Sequence, residues 1–101
     1  MKRPNLHSEL LTILADYTDR KALEKFLQDL LTPNEIEEIG KRWELIKLLA
    51  DGVPQREIAK RLGISLGKIS RGAHELKYGH DGFKIALAYI RKQSKNDTQN
   101  D

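Results

Sequence analysis

Between Pro54 and Lys77 the chain carries six basic side chains, Arg56, Lys60, Arg61, Lys68, Arg71 and Lys77, against two acidic ones, Glu57 and Glu75. Of 18 lysines and arginines and 15 aspartates and glutamates in all, the remainder keeps twelve basic and thirteen acidic residues, so the net charge of +3 is concentrated in this one segment. Positive charge gathered in this way suits a surface that holds phosphates. The chemistry of catalysis is missing from the sequence: it has no glycine-rich phosphate loop, no nucleophile with a paired base and no metal-ligand spacing, which argues against an enzyme and against a bound cofactor. With no cysteine there are no disulfides or thiolate metal sites, and His7, His74 and His80 are too scattered to form a metal cluster.

The basic segment also carries a steric pattern. In QREIAKRLGISLGKISRGAHEL, Ala59 stands where two crossing helices would come closest, and Gly63, four residues on, supplies a left-handed turn. Ile58, Leu62, Ile64 and Ile69 can fill the small core between these helices and a third. The pattern predicts a helix-turn-helix over about residues 54–77, with Leu66, Gly67, Lys68 and Ser70 near the start of the second helix, the part that enters the major groove in such motifs. Lys68 can donate to the acceptors of guanine. Gln55, Arg56, Lys60 and Lys77 are better placed to hold phosphates, which position a protein without specifying a sequence.

The elements that must carry this motif are all helical. Leu10, Leu11, Ile13, Leu14 and Tyr17 recur at helical spacing, as do Leu23, Phe26, Leu27, Leu30 and Leu31 after Asp19. Thr32-Pro33-Asn34-Glu35 reads as a capping box, and Ile36, Ile39, Trp43, Ile46, Leu49 and Ala50 then give a long helix one apolar face up to Asp51-Gly52. A short helix follows from Pro54 to Leu62, and Ser65 can cap the next, which runs to about Lys77. Asp81 or Gly82 opens a last helix with Phe83, Leu87 and Ile90 facing inward. No segment alternates as a strand does, so the expected fold is all-α, with five or six helices in a single domain over residues 1–92 and a disordered polar tail over 93–101. No apolar run approaches the ~20 residues of a membrane span, and the first residues lack the apolar core of a secretory signal, so a cytoplasmic location and no membrane partner are expected.

LTPNEIEEIGKRW followed by QREIAKRLGISLGKISRGAHELK resembles the Trp repressor family, over roughly Lys25 to Lys77 and more loosely on both sides. The resemblance implies an intertwined homodimer, a palindromic DNA operator, and repression of an amino-acid biosynthesis operon. It also implies L-tryptophan as corepressor, wedged between the long central helix and the second helix of the motif. Its two flanking arginines match Arg42 and Arg71, with Leu31, Thr32 and Gly72 at neighbouring pocket positions. Glu75 stands near the place of the ligand ammonium. On this reading Arg71 forks onto the carboxylate, Arg42 lies on the indole face, and Gly72 leaves room beside the ring.

Other readings remain beside this one: a regulator of the same kind with a different small molecule or none, or a constitutive DNA-docking module. A protein–protein adaptor would instead use Leu10, Leu14, Phe26 and Leu30 on a foreign partner, where a homodimer would bury them in its own core.

Overall fold

The computed structural model describes residues 7–99, with side chains through residue 95. Among these residues there are six helices and no strand: α1 Ser8–Asp16, α2 Arg20–Leu30, α3 Pro33–Ala50, α4 Gln55–Leu62, α5 Leu66–Tyr78 and α6 Gly82–Gln99. The chain divides into two units at Glu38 and Ile39, within α3.

In the first unit, Asp19 starts α2 by accepting from the Lys21 amide at 3.0 Å. Tyr17 and Phe26 then meet edge to face, ring centres 5.9 Å apart. The start of α3 is the capping box read from the sequence. Thr32 Oγ1 accepts from the Glu35 amide at 3.1 Å, and the Thr32 amide donates to Glu35 Oε1 at 2.8 Å. Those two donations hold the Glu35 carboxyl below the usual carboxylate range, the backbone one contributing most. Neither α1 nor α2 contains a fully buried residue, although both carry an apolar stripe. Leu11 and Leu30 remain 55% and 50% exposed.

The second unit is built on the C-terminal half of α3, where Leu45 and Ile46 are buried. This half ends in a Schellman turn. Gly52, at φ +81°, reverses the backbone while its amide donates to the Leu49 carbonyl and the Val53 amide to the Leu48 carbonyl, both at 3.0 Å. Pro54, which has no amide proton to lose, then leads into α4.

The apolar periodicity of the long helix needs one correction. Ile36 and Ile39 are exposed, whereas Leu45, off the expected stripe, is among the most buried residues. The reason is geometric: a helix packed against two others buries adjacent positions, which a single stripe cannot describe. In α6, Leu87 is buried and Phe83 half-buried as expected, but Ile90 is 45% exposed. The polar stretch expected to be a tail from Gln93 is helical to Gln99; its residues offer nothing to bury, yet an established helix extends at little cost. The last two residues of the expected tail lie outside the described residues.

Candidate nucleic-acid interface

Three wholly or almost wholly buried side chains, Leu45 of α3, Ile58 of α4 and Ile69 of α5, make one cluster. Leu48, Leu49, Val53, Ala59, Leu62 and Ile64 pack around it. The four apolar positions expected from the motif are all in this core, and Ala59 is half-buried beside it. Gly63 ends α4 at φ +64°, ψ +39°, donating its amide to the Ala59 carbonyl at 2.9 Å. Two residues later the Ser65 hydroxyl accepts from the Lys68 amide at 3.2 Å and starts α5. Cap, glycine and core together fix α5 against α4 as a helix-turn-helix requires.

With Ile58 and Ile69 turned inward, the polar residues of the motif face outward. Gln55, Arg56, Lys60, Leu66, Gly67, Lys68, Ser70 and Lys77 are all exposed. The structure also joins the two helices across this surface, because the Ser70 hydroxyl donates to Gln55 Oε1 at 3.5 Å, a long hydrogen bond. Of the basic residues, Arg61 is spent on Glu57, at 2.7 Å along α4. Arg56, Lys60, Lys68 and Arg71 have no ion-pair partner among the described residues, and Lys77 sits 5.3 Å from the Tyr78 ring centre. Four unpaired cations on the exposed side of two short helices form a surface able to neutralise phosphates.

The residues implied to hold a ligand divide between the two units. Leu31 and Thr32 belong to the first, where the Thr32 hydroxyl is occupied by the capping box. Arg42, Arg71, Gly72 and Glu75 belong to the second; the two arginines and Glu75 are exposed and Gly72 is half-buried. The room expected beside Gly72 holds the side chain of Leu45. A Cβ at Gly72 would stand 2.8 Å from Leu45 Cδ2 and 3.7 Å from Ile46 Cδ1, so α5 lies against α3 as closely as a helix backbone can. Sequence reasoning missed Leu45; the signal was its place one residue before Ile46 on a helix with two neighbours.

Among the described residues there is no group of His, Cys, Asp or Glu suited to a metal ion, and no helix long and apolar enough to cross a membrane.

The fold and this surface define a protein of the helix-turn-helix class. The family model described as Trp repressor protein matches residues 5–91. The chain belongs to the Trp repressor family, a family of DNA-binding regulators and not of enzymes. It is 39% identical over 77 residues to a Trp operon repressor homolog of Actinobacillus succinogenes, covering 75% of this chain and 73% of the relative. It is also 30% identical over 84 residues to the uncharacterized protein YerC of Bacillus subtilis, covering 83% and 81% of the two. A crystal structure of a candidate Trp repressor from Staphylococcus aureus superposes with a TM-score of 0.80 at 27% identity, covering 88% of this chain and 89% of that one.

Proposed function

We propose that this protein is a sequence-specific transcriptional repressor, acting in the cytoplasm as a homodimer on a palindromic operator. The observation that carries the reading is the pairing of a fully packed α4–α5 core with unpaired cations on its outer side. Helix-turn-helix dimers, the Trp repressors among them, bind half-sites about 34 Å apart, one helical turn of DNA. The uncovered apolar stripes of α1 and α2 support the dimer, since a second copy would remove them from water. Selection of bound duplexes from a random library tests the function. An enriched palindrome with that spacing is the expected result, and equal binding to all sequences would overturn it.

For the effector, the family points to L-tryptophan, and Arg42 and Arg71 remain exposed and unpaired on α3 and α5, free to receive a carboxylate and an aromatic face. Control of an amino-acid biosynthesis operon goes with that effector. The contact between Leu45 and Gly72 favours a second reading, in which no ring enters beside Gly72 and the repressor answers to another molecule or to none. Calorimetric titration with L-tryptophan and a panel of other amino acids separates them. One site per subunit, lost in Arg71→Ala, is the outcome for tryptophan control, and no heat with any amino acid is the outcome for the second reading.

A further inference from the structure

Leu66 is the first residue of α5 and is 50% exposed, in the most basic segment of the chain. A single exposed leucine is ordinary on a protein surface; its surroundings give this one meaning. The core beneath it is complete without it, because Ile58 and Ile69 are fully buried and Leu62 and Ile64 pack against them. Ser65, on one side, is turned back to cap the helix, and its hydroxyl is held by the Lys68 amide. Gly67, on the other side, carries no side chain, and a Cβ there would have only Ser65 Oγ, at 3.9 Å, within reach. The advancing tip of α5 therefore presents one apolar side chain, a bare stretch of backbone and one free ammonium, that of Lys68.

Resting on the DNA-binding function proposed above, we infer that Leu66 reads the 5-methyl group of a thymine while Lys68 reads the acceptors of a guanine on a neighbouring base pair. The major-groove edges of DNA offer one apolar feature, the thymine methyl, and guanine offers N7 and O6 to a donor. Residues two apart on a helix diverge by about 200° around its axis. Leu66 and Lys68 thus pass on either side of Gly67 and address different bases. The missing side chain of Gly67 lets the backbone approach the groove floor, which a methyl contact needs.

The test uses the full-length protein and the operator it selects from a random duplex library. Each thymine is replaced in turn by deoxyuridine, which removes only the methyl, and each guanine by 7-deazaguanine, which removes only N7. For the wild type, deoxyuridine at one position per half-site weakens binding about fourfold, the value of one buried methyl. Leu66→Ala binds the thymine and deoxyuridine operators alike yet remains sensitive to 7-deazaguanine. Leu66→Met, which keeps an apolar tip, retains the methyl discrimination, and Lys68→Ala shows the opposite pattern to Leu66→Ala. The inference is overturned if no thymine responds to deoxyuridine, or if Leu66→Ala keeps the wild-type response. Failure to enrich any sequence would instead take down the DNA-reading function, and the inference with it.

Discussion

Leu45 of α3 fills the place that a side chain at Gly72 of α5 would need, its Cδ2 lying 2.8 Å from where the Cβ would stand. The glycine is therefore a condition of close packing between the long helix and the second helix of the motif, at a φ any residue could adopt. The distance also sets how far α5 stands from the core residues Leu45 and Ile69 on which its orientation depends.

Gly72→Ala is expected to destabilise the protein by about 1–3 kcal/mol, the usual cost of forcing an extra methyl into a filled site. In a Leu45→Ala background the same change should cost nothing measurable, because the obstructing methyl is gone. Urea unfolding of the four variants checks this, and an equal penalty in both backgrounds would separate the glycine from Leu45.

Acid is expected to weaken the start of α3. The Glu35 carboxyl is held below its ordinary range by the Thr32 amide first and the Thr32 hydroxyl second. A carboxyl lowered in the folded state contributes its full stability above its unfolded pKa and loses it as pH falls through the folded value. Wild type should therefore exceed Glu35→Gln in stability at neutral pH, and the difference should close in acid below the carboxylate range. Thermal melts of both proteins across that range check it; a gap that persisted below the range would mean that charge is not its source.

Lys60 is exposed and unpaired on the outer side of α4, so Lys60→Ala is expected to weaken operator and random DNA by the same factor. The slope of log affinity against log salt should fall by about 0.9, one phosphate contact. Fluorescence anisotropy titrations at several salt concentrations read both quantities, and a loss confined to the operator would assign Lys60 to base recognition instead.

Local signals in the sequence were read well wherever one residue type answers one backbone need. Thr32 and Glu35 close their reciprocal cap, Gly52 and Gly63 take the left-handed turns, and Ser65 caps α5, each as its position implied. The core of α4 and α5 followed for the same reason, since Ile58 and Ile69 have one small space to fill. What escaped depends on neighbours distant in sequence. Leu45 became central because α3 packs on two helices, and Ile36, Ile39 and Ile90 are apolar yet exposed, since periodicity marks a face to be covered without saying what covers it. Polarity after Gln93 ruled out burial there and was wrongly extended to rule out helix. At the candidate interface, exposure of the basic residues was legible from their charge, but the Ser70–Gln55 bond and the pairing of Arg61 with Glu57 needed coordinates.

The turn from α3 into α4 is closed by main-chain hydrogen bonds from Gly52 and Val53. The one ion pair beside it, Arg91 with Asp51 at 3.9 Å, has both side chains well exposed and adds little. Ions compete with charges, not with amides bonded to carbonyls, so salt strong enough to strip the protein from DNA leaves this corner intact. The two helices that would meet DNA are hence released in working order, and rebinding after dilution needs no refolding of the corner that carries them.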